Sequence, residues 1–184
     1  MARETRGDNL WAIETLAPRP GQRILDIGTG HGAALAELAS RIGNGKVVDI
    51  DPSAVMVRMA ERRNVEGMAR STIEVMTASA ESLPFEDSSF DSTMAVHVLY
   101  FWPDLAKPFA EFARVLKPGG RLVLLFSVKD DPATAVFPET VYRFRSVEEV
   151  AERLSYFGLT TERIEGRLRG PRLTPAVLTA QRTK

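Results

Sequence analysis

The sequence predicts an α/β fold, a parallel sheet with helices on both faces. Strand-like and helical segments alternate along the 184 residues, the pattern that builds such layers. Phe90–Val96 is a near-continuous apolar run bounded by turn residues, as a strand buried on both faces requires. Ile24–Ile27 runs into the turn Gly28-Thr29-Gly30-His31-Gly32 and from there straight into a helix.

Each element has its own local reason. A leading helix over about 7–17 carries Leu10, Trp11, Ile13 and Leu16 at helical spacing, and Pro18 and Pro20 end it. The first strand is Arg23–Ile27, the next helix Ala33–Ile42, and the second strand Gly45–Ile50, which ends on Asp51. Asp49, within that strand, reads as solvent-facing. Asp51-Pro52-Ser53 starts a helix with Val55, Met56, Met59 and Ala60 on one face. Thr72–Met76 is the third strand and Phe90–Val96 the fourth. The helix Leu105–Leu116 stops at Lys117-Pro118-Gly119-Gly120, and the fifth strand is Arg121–Phe126. Ser127–Arg145 has two prolines and no clear period, and connections of this length serve as lids or binding loops. Ser146 caps a helix with Glu149 three residues on, and that helix runs to Tyr156 before Gly158. Thr160–Glu165 and Leu173–Gln181, joined by Gly166–Arg172, read as a terminal hairpin.

Composition narrows the function. Lys plus Arg and Asp plus Glu are both 24, so the broad basic field of a nucleic-acid-binding surface is not expected. Without cysteine the chain has no disulfide, thiolate metal site or Cys nucleophile. No His and carboxylate cluster has metal-ligand spacing, so no metal is expected. The least polar run, Thr93–Trp102, is about half the ~20 residues a membrane helix needs, and no signal-like stretch follows Met1. The expectation is a cytoplasmic protein with no membrane partner; whether two chains form a homodimer is left open.

The glycine turn and Asp51 carry the chemistry. Glycines let backbone approach a ligand closely, and a helix start points unpaired N–H groups at an anionic group. Asp51, 19 residues past Gly32 at a strand end, is placed to accept from both hydroxyls of a ribose. Together they indicate an adenosine-containing ligand.

Four segments then align with a known pattern: Leu25-Asp26-Ile27-Gly28-Thr29-Gly30-His31-Gly32, Val48-Asp49-Ile50-Asp51-Pro52-Ser53, the stretch Ser82–Asp91 containing Leu83-Pro84-Phe85, and Val115-Leu116-Lys117-Pro118-Gly119-Gly120. In these the chain resembles class I S-adenosylmethionine-dependent methyltransferases of the small bacterial type, strongly over Arg23–Phe126 and loosely beyond. The resemblance implies a Rossmann-like, doubly wound sheet of seven strands in the order 3-2-1-4-5-7-6, mostly parallel with an antiparallel last strand. It implies one methyltransferase domain over 1–184: an N-terminal helix (1–20), a cofactor-binding core (21–126), a substrate lid loop (127–145), and a C-terminal helix and hairpin (146–184). It implies S-adenosyl-L-methionine as cofactor and a small-molecule acceptor.

Site roles follow position by position from that resemblance. Gly28, Thr29, Gly30 and Gly32 would wrap the methionine part, with Asp26 near its ammonium group and His31 by its carboxylate. Asp51 would hold the ribose, and Ile50 and Pro52 would flank the adenine. Ser79-Ala80-Glu81 falls where the family has Asp-Ala-Glu, so Ser79 replaces a charged acceptor with a neutral one. Val96 and His97 arrive at the strand edge where ligands of such sheets lie. His97 is the candidate base, because an imidazole titrates near neutral pH, with backbone contact to the cofactor as its plainer role. Tyr100 is the candidate to position a substrate, and Phe101 and Trp102 would form core or pocket wall. Substrate choice is expected in the lid, from Phe137, Tyr142, Phe144, Arg143 and Arg145. Arg163, Arg167, Arg169 and Arg172, interleaved with Glu162 and Glu165, read as a solvated face. Two alternatives remain: a cofactor-binding or scaffold protein of the same fold without catalysis, and a nicotinamide-dependent oxidoreductase, whose glycine turn shares the same physics.

Overall fold

A computed structural model of the chain describes residues 2–28, 30–129, 131–166 and 175–183. The elements run α1 (Ala2–Leu16), β1 (Arg23–Ile27), α2 (Leu35–Ile42), β2 (Lys46–Asp51), α3 (Ala54–Arg63), α4 (Val65–Ala69), β3 (Ile73–Thr77), β4 (Phe90–Val96), α5 (Ala106–Val115), β5 (Leu116–Ser127), α6 (Val147–Tyr156), β6 (Leu159–Gly166) and β7 (Pro175–Arg182). The seven strands lie in the order β3-β2-β1-β4-β5-β7-β6, parallel except that β7 runs antiparallel to both its neighbours. This is the Rossmann-like, doubly wound α/β sheet expected.

The pleat sorts the core into two layers, because successive strand residues face opposite ways. Leu25, Ile27, Val48 and Ile50 pack with Phe109 and Phe112 of α5 and Val150 and Leu154 of α6. Ile24, Val47, Val75 and Met94 pack with Trp11 and Ile13 of α1, Leu35 and Leu38 of α2, and Val57 of α3. Both faces of the middle strands are therefore dry. Their register brings the ends together, with Ile27 opposite Ile50 on one side and Ala95 on the other.

Several local readings are corrected. Helix α2 begins at Leu35 rather than Ala33, because a turn occupies 30–34 first. Val55, Met56 and Met59 are exposed, and the core face of α3 is Val57 and Ala60. The Ser53 cap, whose Oγ accepts from the Met56 N–H, sets the helix phase, and both residue sets satisfy helical spacing. Asp49 is fully buried opposite Asp26 rather than solvent-facing, since sheet and helices cover that face of β2. Lys117–Gly120 ends α5 but is no free turn: β5 already begins at Leu116, opposite Phe90, with a register shift before Ser92. Among the described residues, no helix is long and apolar enough to cross a membrane.

Candidate active site

A cavity of about 650 Å3 opens beyond the carboxyl ends of β1, β2 and β4. That size suits a small-molecule ligand, and open parallel sheets bind ligands at this edge. Asp26 lines it from β1, and Gly28, Gly30 and His31 line it from the glycine turn. Ile50, Asp51 and Pro52 line it from β2, Ser79, Ala80 and Glu81 from the segment after β3, and Val96 and His97 from β4. Thr29 lies outside the described residues.

Asp51 organises the turn. Its Oδ2 accepts from the Gly30 N–H at 3.2 Å and its Oδ1 from the Ser53 N–H at 2.8 Å. One buried carboxylate thus ties the glycine turn to the start of α3 while keeping an edge on the cavity. Gly28 donates to the Ile50 carbonyl at 2.7 Å, which closes the turn onto β2.

The three glycines divide the labour. Gly28 has φ +72° and a Cβ there would lie 2.5 Å from Val98 Cγ1, so the chain must pass bare under that side chain. Gly30 has φ +61° and a Cβ there would meet nothing within 4 Å among the described residues, so it faces open space. Gly32, with φ +73°, does not line the cavity. A Cβ there would come within 2.8 Å of Ala60 Cα and 2.6 Å of Asn64 Nδ2, so the glycine admits α3. Asn64, which the sequence did not single out, seals that contact by donating to the Gly32 carbonyl at 3.0 Å and the Ala60 carbonyl at 2.8 Å.

His97 turns the chain out of β4 with φ +57°, a left-handed conformation that costs a non-glycine residue about 1–3 kcal/mol and clusters at functional sites. Its N–H donates to the Leu125 carbonyl at 2.8 Å. Its Nε2 lies 3.0 Å from Oδ2 of Asp8, a buried carboxylate on α1. Sequence reasoning missed Asp8. Spacing signalled only its burial: Asp8 is three and four residues before Trp11 and Ala12, on the buried stripe of its own helix.

Tyr100 is buried away from the cavity lining. Its ring sits 5.6 Å from Tyr142 and 5.1 Å from Phe144, and the Tyr142 and Phe144 rings are stacked at 6.0 Å. Burial, then the neighbouring Tyr142 and Asp8, pushes its hydroxyl above the usual phenol range, so it stays protonated. The cavity wall is instead Val98, Phe101, Trp102, Pro103 and Met56, with Asn9 reaching in from α1.

The segment 128–145 is tied at its base. Val128 bridges Arg145, and the Lys129 N–H donates to the Arg145 carbonyl at 3.0 Å. Arg143 is drawn to the cavity rim: its N–H donates to the Tyr100 carbonyl at 2.8 Å and its guanidinium to the Pro103 carbonyl at 3.0 Å. Arg145 pairs with Glu149 at 2.9 Å. Of the C-terminal arginines, Arg163 pairs with Glu165; Arg167, Arg169 and Arg172 lie outside the described residues. The turn at Leu83–Phe85 is structural. Arg114 donates to the carbonyls of Leu83 at 3.0 Å and Phe85 at 2.6 Å and pairs with Glu111 and Asp87.

Comparison with known proteins places this geometry. Residues 25–124 match the profile of a family described as "Methyltransferase domain". The chain is 41% identical over 113 residues to an uncharacterized 37.1 kDa protein in transposon Tn4556 of Streptomyces fradiae, covering 61% of this chain and 32% of that one. It is 36% identical over 119 residues to demethylmenaquinone methyltransferase of Desulfitobacterium hafniense, covering 64% and 47%. The chain thus spans about a third to a half of the length of these relatives. A crystal structure of a SAM-dependent methyltransferase from Aquifex aeolicus superposes with a TM-score of 0.78 at 24% identity, over 96% of this chain and 90% of that one, which shows the shared fold.

Proposed function

The chain belongs to the methyltransferase-domain family, the class I S-adenosylmethionine-dependent enzymes, and on that premise we propose that it transfers a methyl group to a small-molecule acceptor. One observation carries the reading: Gly30, Asp51 and His97, from three different strand ends, line one cavity.

The residues fit the cofactor. Gly30 leaves backbone bare toward the open space, and Asp51, already fixed by two backbone donors, offers its remaining lone pairs to a ribose. Ile50, Pro52 and Met56 supply apolar wall for an adenine, with Ser79 the nearest stand-in for a polar edge contact. The Ser79 hydroxyl already accepts from the Glu81 N–H at 3.2 Å. Asp26 and His31 remain for the ammonium and carboxylate of the amino-acid part. When bound, the cofactor supplies an electrophilic methyl group on a sulfonium.

The chain's own work is alignment, exclusion of water and proton removal. Val98, Phe101, Trp102 and Pro103 present a largely apolar wall that limits water at the reacting end. His97 takes the proton of the acceptor, and Tyr100, protonated and packed behind it, anchors the 128–145 segment through Tyr142. Substrate choice resides in that segment, Arg143 included. We place the protein in the cytoplasm.

Isothermal titration with S-adenosylmethionine and with S-adenosylhomocysteine tests the reading. Saturable binding of both to the native chain supports it. No heat from either ligand, or a preference for a nicotinamide dinucleotide, overturns it.

A further inference from the structure

The Asp8–His97 contact joins the first helix to the end of the fourth strand, 89 positions apart in sequence. Asp8 is 5% exposed, and its next neighbour Asn9 lines the cavity, so one turn of α1 borders the site. A carboxylate offers only acceptors, so the ring hydrogen of neutral His97 belongs on Nε2 and the lone pair on Nδ1. The ring is held twice, by Asp8 at Nε2 and through its backbone by Leu125. The other titratable groups lining this cavity are Asp26, His31, Asp51 and Glu81, while Tyr100 packs at 6.4 Å between ring centres.

We propose that Asp8 is a positioning residue that holds His97 ready to accept a proton at Nδ1, and that the methyl acceptor therefore carries a hydrogen on its nucleophilic atom, as a hydroxyl or ammonium group. The inference rests on the methyltransferase reading above. In the step itself the proton leaves the acceptor atom X and bonds Nδ1. Both electrons of the X–H bond stay on X and form the new bond to the methyl carbon, whose bond to the donor's sulfonium sulfur would break with its electron pair leaving on sulfur, so no oxidant or reductant takes part. The imidazolium so formed faces the Asp8 carboxylate, which stabilises it as it appears. A simple latch between α1 and β4 would need the Nε2 bond alone; a base also needs Nδ1 open to the cavity.

Alkylation by iodoacetamide separates the two roles, and no cysteine competes for the reagent. The native chain is treated near neutral pH, and the His97 peptide is analysed for Nδ1- against Nε2-carbamidomethyl histidine. The expected product is Nδ1 alone, formed at least tenfold more slowly when S-adenosylhomocysteine saturates the cavity. Asp8→Asn should move at least half of the product to Nε2, because an amide can donate where the carboxylate only accepted. Asp8→Glu should restore the native pattern. An inert Nδ1 in the folded native chain overturns the proposal, as does native Nε2 product or an unchanged ratio in Asp8→Asn. Should Asp8→Asn not fold, the native chain and Asp8→Glu decide alone. A chain that fails to bind S-adenosylhomocysteine yet alkylates at Nδ1 loses the methyltransferase reading only. One that binds it with an inert Nδ1 loses the role of Asp8 only.

Discussion

Two alanine substitutions two residues apart should fail in opposite ways. Gly30 and Gly32 share a left-handed backbone, with φ of +61° and +73°, so each loses about 1–2 kcal/mol when a Cβ is added. Beyond that they differ. At Gly32 the new methyl would stand 2.6–2.8 Å from Asn64 and Ala60, and overpacking of that kind costs about 1–3 kcal/mol more. Gly32→Ala should therefore lose about 2–5 kcal/mol, which at ~2–4 °C per kcal/mol lowers Tm by roughly 4–20 °C. At Gly30 nothing lies within 4 Å, so the protein should melt only about 2–8 °C lower from backbone strain. The methyl then sits where the ligand must approach, and ~1–3 kcal/mol of crowding weakens binding about 5–150-fold. Differential scanning fluorimetry gives the first quantity and titration with S-adenosylhomocysteine the second. Equal melting losses in the two variants, or native affinity in Gly30→Ala, would refute the division between a ligand glycine and a packing glycine.

Other outcomes follow from the same geometry. Asp51→Ala should weaken S-adenosylhomocysteine binding by about 1–3 kcal/mol, since it removes a charged acceptor; an unchanged Kd would exclude Asp51 from the ribose site. The Arg114 guanidinium holds Glu111 below its ordinary 4.5, and the Leu83 N–H adds to the effect against burial. For Asp91, burial is the largest single influence and raises it, yet the Arg23 N–H and Lys117 together bring it below its usual value. Stability from both carboxylates is complete above their unfolded values and drains away as pH falls through the lower folded ones. Melting should then drop steeply on acidification below about pH 4. Glu111→Gln should flatten that limb and cost about 1–3 kcal/mol at neutral pH; an identical acid profile would disprove the linkage. Tyr142→Ala should speed tryptic cleavage after Arg143 severalfold with little change in global melting, because its ring contacts lie within the 128–145 segment and its immediate support. Unchanged cleavage would show that the aromatic cluster does not order that segment.

Strands were more legible than faces. Arg23–Ile27 and Phe90–Val96 were read at their observed limits because an apolar strand ending at a glycine turn or a polar loop leaves little choice. Strand order came through resemblance; alternation alone gave only the layers. The face of α3 was misread because apolar residues lie on more than one side of it: Val55, Met56 and Met59 as well as the Val57 and Ala60 that point inward. Nothing local reveals which set a cap directs to the core. Asp49 was misread for a related reason: a charged side chain usually marks solvent, and only the assembled sheet shows that β2 has none on that side. Most cavity residues lie near the glycine turn or a strand end, where spacing is informative. Asp8 and Asn64 act through contacts spanning 89 and 32 positions, so their roles exist only once the chain has folded.

The tie between Val128 and Arg145 gives the fold a replaceable part. Because the two stems meet in a ladder of their own, the sheet does not register how many residues lie between them. Each doubling of such an insert adds only about 0.6 kcal/mol of closure entropy. Under the proposed function, exchanging the excursion for a longer or differently furnished one would alter which acceptor fits, and the Gly30 and Asp51 side of the cavity would be left untouched.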